Sequence, residues 1–310
     1  MQSRWNKEGE SAVYNGIINL YKEKGYTSHD AVAKLRGILK QKKIGHTGTL
    51  DPQAEGVLPI CLGTGTRLCE LLTDKDKEYE ALLLLGVATD TQDATGKVLS
   101  TSPVRVSEES VKETILSYVG EYDQLPPMYS AIKVDGKKLY ELAREGKEVE
   151  RSTRRVRIFS IDILSLKLPR VRIRVSCSKG TYIRTLCHDI GERLGCGGCM
   201  EELLRTRAGG FAVEDALTLA QIEGLCREGM LTERIVRVEE ALEDYPVCVM
   251  KPEADRLIYN GNPFYGEMTE KKPLGNIPVR VYDSSRHFVG IYEYRTEKRA
   301  YYPLKMFLES

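Results

Sequence analysis

A single aspartate, Asp51, lies in a segment whose residues restrict the backbone closely. The segment covers residues 42–59 and reads KKIGHTGTLDPQAEGVLP. Its glycines permit conformations closed to other residues, while its prolines fix φ and restrict the residue before each of them. Surface turns use the same residue types, but three glycines and two prolines around Asp51 indicate that its carboxylate points in a specific direction.

An aspartate in such a setting has three common roles: nucleophile, general base, or electrostatic partner of a cation. A nucleophile must stay ionised while shielded from water. A neighbouring guanidinium achieves this by stabilising the charged form and fixing the direction of the carboxylate. Arg184 is a candidate, because it lies in the first turns of a predicted helix that follows a strand and a Lys-Gly turn. On its own, Arg184 would be interpreted as a surface arginine.

Two other segments have the residue types of ligand sites. Cys196-Gly-Gly-Cys199, with Cys187 and His188 upstream, is half of a zinc signature, but no second pair follows at the required spacing. We therefore interpret it as a turn with buried thiols. Gly63-Thr-Gly-Thr lacks the lysine of a P-loop and is interpreted as a turn. The eight scattered cysteines of this large chain indicate reduced thiols rather than a disulfide framework.

The composition is that of a soluble globular protein. The chain has 310 residues, of which 41% are hydrophobic and 29% charged. Its longest apolar stretch, residues 81–88, is too short to cross a bilayer. The first residues contain no hydrophobic signal region, so we expect a cytoplasmic protein without contact to a membrane.

The net charge of +1 hides an uneven distribution of charge along the chain. Residues 34–46 carry five cations and no acid, and they run directly into the Asp51 segment. Residues 133–157 carry nine cations against five acids, whereas residues 214–244 carry nine acids against three cations. Such runs are commonly solvated faces of helices or strands, but the position of the first run also fits an anionic partner.

Helical and extended patterns are mixed rather than strictly alternating. Capping residues, apolar spacing and closing glycines predict a helix after Thr27 and further helices over 107–119, 137–145 and 181–194. Strands are predicted over 79–86, 153–164 and 168–177, the last with a clear alternation that favours a sheet with one wet face. The pattern indicates an α+β domain, followed after residue 245 by a small β-rich domain.

Taken together, these residues resemble the bacterial TruB family of tRNA pseudouridine synthases. Residues 45–59 are similar to the catalytic motif of the family, Lys77-Glu-Tyr79 to its tyrosine motif, and residues 178–185 to its arginine motif. Two further blocks match, PMYSAIKVDGKKLYELAREG at 127–146 and LLRTR at 203–207. The matches stand in family order and cover roughly residues 15–211.

The resemblance implies a pseudouridine synthase fold over residues 1–245, with a mixed, largely antiparallel central sheet flanked by helices. Residues 246–310 would form a PUA-like RNA-binding domain. The implied reaction is isomerisation of uridine to pseudouridine in the T loop of tRNA, conventionally at position 55, by base flipping and without metal or organic cofactor. The expected partner is the tRNA T arm, bound by a monomer with no obligatory protein partner or guide RNA.

The resemblance also implies roles for single residues. Asp51 would be the essential carboxylate, paired with Arg184, and whether it attacks the ribose C1′ or the uracil C6, or acts through an elimination, stays open. Tyr79 would pack on the target base and is a candidate proton acceptor. His46 would occupy the gap in the RNA stack that the flipped base leaves.

Further residues would line the site or hold the RNA. Leu203 would form part of an apolar wall that excludes water, and Tyr182 would support the site. The candidate phosphate contacts, which set affinity more than choice of base, are Lys22, Lys42, Lys43, Lys133, Arg144 and Lys179.

One block departs from the family pattern, and three other functions compete with the one implied. Where the family has Asp-Lys-Pro, this chain reads Tyr21-Lys-Glu23, which leaves the shape of that turn open. The alternatives are a non-catalytic RNA-folding module, a retaining glycoside hydrolase with Asp51 and Glu55 as its carboxylate pair, and a guide-RNA-dependent relative. The intact Asp51, Tyr79 and Arg184 argue against the first. The shared turn of the two carboxylates argues against the second, and the lack of long basic tails against the third.

Overall fold

The structure is a computed structural model that describes residues 13–134, 136–271 and 277–308. The expectation about the first residues of the chain concerns residues 1–12, which lie outside these ranges. The helices are α1 (Ser28–Leu39), α2 (Cys69–Thr73), α3 (Glu108–Leu116), α4 (Leu139–Arg144), α5 (Ile183–Arg193), α6 (Leu219–Glu228) and α7 (Asp255–Tyr259). The strands are β1 (Gly16–Lys22), β2 (Ile44–His46), β3 (Glu55–Leu62), β4 (Lys77–Leu85), β5 (Val87–Thr89), β6 (Val98–Thr101), β7 (Gly120–Gln124), β8 (Lys133–Val134), β9 (Lys137–Lys138), β10 (Arg154–Lys167), β11 (Arg170–Cys177), β12 (Gly198–Ala208), β13 (Phe211–Ala212), β14 (Val247–Val249), β15 (Val279–Tyr282), β16 (Phe288–Arg295) and β17 (Ala300–Met306).

Most strands belong to one large mixed sheet. Its nine strands run in the order β1-β3-β12-β4-β11-β10-β7, with β2 beside β3 and β13 beside β12. Among these described strands, every pairing is antiparallel except that of β3 with β12. The predicted α+β class with a mixed, largely antiparallel central sheet is therefore confirmed. A C-terminal sheet of four strands, β14-β15-β16-β17, follows in the chain.

The alternation predicted for β11 appears as a sheet with one buried and one wet face. The fully buried side chains of β11 are those of Val171, Ile173, Val175 and Cys177. On the other face, Arg174 pairs with Glu80 of the adjacent strand β4 at 2.7 Å. Arg172 pairs with Glu202 of β12, the strand beyond β4, at 2.7 Å. The exposed cations of this face are thus neutralised by carboxylates of the same sheet.

The helix that precedes the Asp51 segment begins with the predicted cap. The Thr27 hydroxyl accepts a hydrogen bond from the Asp30 backbone N–H, and the Asp30 carboxylate accepts one from the Thr27 N–H. A second helix is shorter than predicted. Residues 137–138 pair with residues 133–134 as a short hairpin, so α4 begins only at Leu139.

The parallel pairing of β3 with β12 requires a glycine at position 56. Gly56 lies opposite Arg205, with φ of 103°, and a Cβ atom there would lie 2.3 Å from the Arg205 carbonyl oxygen. The Arg205 side chain is fully buried, and its Nε donates to the Val57 carbonyl at 2.6 Å and its Nη2 to the Gly48 carbonyl at 3.4 Å. The centre of the sheet therefore fastens the segment that carries Asp51.

The hydrophobic core continues from the large sheet to the C-terminal sheet. One buried cluster contains Ile17 and Val57 of the large sheet together with Ile291 and Phe307 of the C-terminal part. The boundary between residues 245 and 246 stays a prediction, as does the PUA-like character of the C-terminal part. Within the ranges that the structure describes, no helix is long and apolar enough to span a membrane.

We expect Gly56→Ala to lower the free energy of unfolding by about 3 kcal/mol, because a methyl group adds a clash with backbone to an unfavourable φ. Gly120→Ala is the matched control: Gly120 begins β7 with φ of 115°, and its added Cβ meets nothing within 4 Å. It should cost about 1 kcal/mol. Urea unfolding measures both values, and equal losses would show that close approach of β12 is not the constraint at Gly56.

Candidate active site

Asp51 lies in the connection between β2 and β3, and its turn is held from two sides. The backbone N–H of Leu50 donates to the hydroxyl of Ser28 at 2.9 Å, and that hydroxyl is buried at the start of α1. The Ala54 N–H donates to the Asp51 carbonyl at 3.1 Å, which closes the turn. The glycine and proline pattern of the sequence thus corresponds to a fixed turn that presents one carboxylate.

Arg184 binds the carboxylate of Asp51 with two nitrogens. Its Nε lies 2.8 Å from Oδ2, and its Nη2 donates to Oδ1 at 3.2 Å. The arginine side chain is 5% exposed, whereas that of Asp51 is 37% exposed. The guanidinium is therefore buried, whereas the carboxylate is partly exposed to solvent. A bidentate pair of this kind fixes the direction of the acid as well as its charge.

The remaining donors of Arg184 hold the guanidinium in place. Nη1 donates to the Thr91 carbonyl at 3.1 Å, and Nη2 also donates to the Tyr129 carbonyl at 2.9 Å. A second carboxylate, that of Asp93, lies 3.9 Å from Nη1. The arginine thus joins three segments that are distant in sequence, and it is shared between two acids.

The surroundings of Asp51 act on its pKa in opposite directions. Removal from water raises the pKa of the Asp51 carboxyl above its ordinary value, and the charge of Asp93 raises it further. The Arg184 guanidinium opposes this rise, as does the ammonium of Lys22. The charged form of Asp51 is therefore less stabilised than its ion pair with Arg184 alone would suggest.

Tyr79 and Leu203 lie on the neighbouring strands β4 and β12 and are both buried. Tyr79 is 9% exposed and Leu203 8% exposed. Burial raises the pKa of the Tyr79 phenol, against the effect of the Arg205 guanidinium, and the charge of Asp51 contributes a smaller rise. The phenol is therefore protonated at neutral pH. A candidate proton acceptor would need a pKa closer to neutrality, and burial moves the pKa of Tyr79 in the other direction. The role of Tyr79 as proton acceptor stays a prediction.

Lys22 is buried, which disagrees with the prediction that it contacts phosphate. Its side chain is 1% exposed, and its Nζ donates to the carbonyls of Glu23, Tyr26 and Pro52 at 3.0, 2.6 and 3.3 Å. Burial lowers the pKa of Lys22 to about 8. With its donors used inside the protein, Lys22 supports the turn before α1 and ties it to the residue after Asp51. These bonds define the turn where the family's aspartate and proline are missing.

His46 ends β2, five residues before Asp51, and is half-buried. Its Nδ1 accepts a hydrogen bond from the Gly48 N–H at 3.3 Å. Burial lowers the pKa of His46, and the positive charge of Arg205 lowers it further. The ring is therefore neutral at neutral pH, and its Nδ1 is bonded to the segment that also carries Asp51.

The other predicted residues lie in two settings. Tyr182 is the N-cap of α5, two residues before Arg184. Lys179 is exposed and pairs with Asp74 at 2.8 Å. The remaining candidate phosphate contacts are all exposed; they are Lys42, Lys43, Lys133 and Arg144.

The thiols of the Cys196–Cys199 turn are buried and free, as interpreted from the sequence. In the described part of the chain, no group of three or more histidine, cysteine or acidic side chains is arranged to hold a metal ion. A cavity of about 480 Å³ lies elsewhere, between β1 and residues 233–244. Asp51 and Arg184 do not line this cavity.

Sequence reasoning missed Asp93 and gave no role to Arg205. Asp93 follows a Thr-Gln pair in a turn between strands, where an acid is ordinary, and only the fold brings it to Arg184. Arg205 had a visible signal: it is a cation that directly follows two leucines, in a stretch that the fold buries.

Comparison with known proteins supports a single family. A model described as "TruB family pseudouridylate synthase (N terminal domain)" matches residues 36–183, and "tRNA pseudouridylate synthase B C-terminal domain" matches residues 184–243. A protein of Lachnoclostridium phytofermentans named "tRNA pseudouridine synthase B" is 54% identical over 95% of this chain and 100% of its own length. A protein of the same name from Clostridium acetobutylicum is 44% identical over 89% of this chain and 94% of its own.

Solved structures show the same fold in larger assemblies. A chain in the crystal structure of a Cbf5-Nop10-Gar1 complex is 29% identical, with a TM-score of 0.74 over 94% of this chain and 85% of that one. A chain in an H/ACA RNP bound to a substrate RNA containing 2′-deoxyuridine is 27% identical, with a TM-score of 0.73 over 95% of this chain and 85% of that one. With relatives that are 54% and 44% identical over most of both chains, the protein belongs to the TruB family of pseudouridylate synthases.

Proposed function

We propose that this pseudouridine synthase isomerises a uridine of tRNA, at the T-loop position conventionally numbered 55, with Asp51 as the essential carboxylate. The observation that carries the proposal is the bidentate pair of the buried Arg184 with Asp51, whose carboxylate is partly exposed to solvent. The relatives named "tRNA pseudouridine synthase B" support tRNA as the substrate.

The reaction is an isomerisation and needs no external reagent. The bond between N1 of uracil and C1′ of ribose breaks, the base turns, and a bond forms between C5 and C1′, while C5 loses a proton and N1 gains one. An ionised Asp51 supplies a lone pair for attack on C1′ or on C6, or assists an elimination. Each of its oxygens keeps a lone pair free of Arg184, so the pair orients the nucleophile without consuming it.

Tyr79 and Leu203 would form apolar walls around the detached base. Tyr79 and Leu203 present a phenol ring and a branched chain, and water excluded by them cannot capture a reactive intermediate. Because Tyr79 is protonated, we assign it packing against uracil and hydrogen-bond donation rather than proton abstraction in the resting enzyme.

Opening of the RNA would depend on His46. Extracting a stacked base costs a few kcal/mol, and a flat, neutral ring that takes its place recovers part of the lost stacking. A neutral imidazole fits this role, because its entry into a base stack does not require a charged group to be removed from water.

The RNA backbone would lie along exposed cations beside the loop. Lys42 and Lys43 are exposed and stand just before β2, the strand that ends with His46. We expect them to contribute affinity rather than base selection. We also propose that the enzyme works in the cytoplasm as a monomer without cofactor, with the C-terminal part gripping the acceptor-stem side of the RNA.

A guide-RNA-dependent function is the second candidate, because the solved relatives come from H/ACA assemblies. Those chains are 27% and 29% identical to this one, whereas the curated tRNA pseudouridine synthase B relatives reach 54%. The higher identity favours independent action on tRNA. Purified protein with an unmodified tRNA transcript separates the two, since a guide-dependent enzyme would leave the transcript unmodified.

Asp51→Asn should reduce the single-turnover rate of pseudouridine formation by at least about 10³-fold, because an amide is no nucleophile. Mass-spectrometric mapping of the tRNA transcript measures both rate and position. Glu55→Gln is the matched control and should retain activity; it also tests the glycoside hydrolase alternative. Wild-type turnover by Asp51→Asn would refute the assigned carboxylate.

The rate should fall as the pH is lowered through the raised pKa of Asp51, since the carboxylate is the active form. Arg184→Gln removes a positive charge that opposes this rise, so the pKa of Asp51 should increase and the acid limb of the rate profile should move to higher pH. The maximal rate should also fall by about 10²-fold as orientation is lost. Arg174→Gln, on the charge-paired sheet face, should keep the wild-type profile. An acid limb that stays in place or moves to lower pH contradicts this electrostatic account.

Changing Lys42 and Lys43 together to Ala should weaken tRNA binding but leave the rate at saturating tRNA unchanged. Each lysine–phosphate interaction that the double variant loses should reduce the slope of log affinity against log salt by about 0.9. Filter binding between low and moderate salt gives the slope, with exposed Lys112→Ala of α3 as the control. A double variant with a wild-type slope would exclude these lysines from the RNA interface.

A further inference from the structure

A buried glutamine clamps the backbone at the start of α5. Gln124 is the last residue of β7, and its side chain is 1% exposed. Its Oε1 accepts a hydrogen bond from the Tyr182 N–H at 2.7 Å, and its Nε2 donates to the Tyr182 carbonyl at 2.9 Å. The amide side chain thus binds one residue in both directions, as a neighbouring strand would.

The clamped residue is where α5 most needs a partner. Tyr182 is the N-cap of the helix, and no side-chain hydrogen bond of its own caps it. Its carbonyl already accepts from the Leu186 N–H at 3.1 Å, and Gln124 occupies the second lone pair. Without Gln124, the N–H of Tyr182 and one lone pair of its carbonyl would be left without a partner in a partly buried position. Gln124 therefore fixes where the helix that carries Arg184 begins.

The same glutamine starts the loop that supplies another contact to Arg184. Five residues after Gln124, the Tyr129 carbonyl accepts from Arg184 Nη2 at 2.9 Å. Between Gln124 and Tyr129, the Pro126 carbonyl accepts a hydrogen bond from Arg151 Nη1 at 2.9 Å, which also anchors the loop. These contacts close a ring. The backbone links Gln124 to Tyr129 and Arg184 to Tyr182, and hydrogen bonds link Tyr129 to Arg184 and Tyr182 to Gln124.

We propose that Gln124 is a positioning residue for catalysis, which sets the direction of the Asp51 carboxylate through Tyr182 and Arg184. This inference rests on the proposed role of Asp51. Glutamine suits the position because only a neutral side chain that both donates and accepts can satisfy the two groups of Tyr182. Since Gln124 is buried and Arg184 lies between it and the reacting atoms, its loss should act on turnover rather than on RNA binding.

The chain contains a matched control for this clamp. Gln41 is 9% exposed, and its Oε1 accepts from the Tyr14 N–H at 2.8 Å while its Nε2 donates to the Tyr14 carbonyl at 2.9 Å. It makes the same two bonds to a residue just before β1, and a longer third bond from Nε2 to the Lys43 carbonyl at 3.4 Å. Methionine at either position keeps the length of the side chain and removes the bonds of the amide. Because Lys43 is a candidate RNA contact, the two variants are compared at saturating tRNA.

The experiment compares Gln124→Met with Gln41→Met in the full-length protein. Both should lower the melting temperature to a similar extent. Only Gln124→Met should reduce the single-turnover rate at saturating tRNA, by about 10- to 100-fold with little change in the affinity for tRNA, since small misplacement of a catalytic group has effects of that size. If Gln124→Met does not fold, Gln124→Asn, which shortens the clamp by one methylene, should show a smaller loss of rate at unchanged affinity.

Three results would overturn the inference: a wild-type rate for folded Gln124→Met, equal rate losses in both methionine variants, or a wild-type rate for Gln124→Asn where the methionine variant is unfolded. Asp51→Asn is measured in the same series. If it retains activity, the proposed role of Asp51 fails, whereas an inactive Asp51→Asn beside a fully active Gln124→Met refutes the role of Gln124 alone.

Discussion

The ion pair between Asp51 and Arg184 is the interaction on which the site depends. A partly buried carboxylate tends to take up a proton, and a mobile carboxylate has no defined direction. Arg184 opposes both tendencies with two contacts, at 2.8 and 3.2 Å, from a guanidinium that is itself buried. Everything that fixes Arg184, from the start of α5 to the Thr91 and Tyr129 carbonyls, therefore acts on the Asp51 carboxylate.

Buried cations that donate to backbone carbonyls recur around the site. Arg205 binds the carbonyls of Val57 and Gly48 on one side of the Asp51 segment, and Lys22 binds that of Pro52 on the other. A long cationic side chain reaches several carbonyls at once, so it can hold together segments that do not pair with each other as strands. The positive charge of Arg205 also lowers the pKa of His46 and opposes the rise at Tyr79.

The sequence predicts those elements whose signals are local. The cap of α1 follows from Thr27 and Asp30, and the buried face of β11 follows from its alternation. The turn at Asp51 is visible because glycine and proline restrict the backbone by themselves. The importance of Arg184 is not visible locally, since an arginine looks the same on a surface, and it emerges only from the resemblance of several blocks.

Other features depend on contacts between distant segments and have no local signal. Asp93, Gln124 and the acceptor carbonyls of Arg184 are set by the order of strands in the sheet, which no single segment encodes. Lysines usually lie on the surface, and the burial of Lys22 reflects a turn that needs three carbonyls bound. The protonated state of Tyr79 follows from its burial in β4, which the tyrosine motif does not reveal.

The most direct test of the account is the pKa of the Asp51 carboxyl itself, followed by carbon-13 NMR in aspartate-labelled protein and assigned with Asp51→Asn. The account predicts a pKa above that of an ordinary aspartate in the wild-type enzyme, and a higher one in Arg184→Gln. An Asp51 that titrates at or below the ordinary value, or whose pKa falls when Arg184 is replaced, would contradict it.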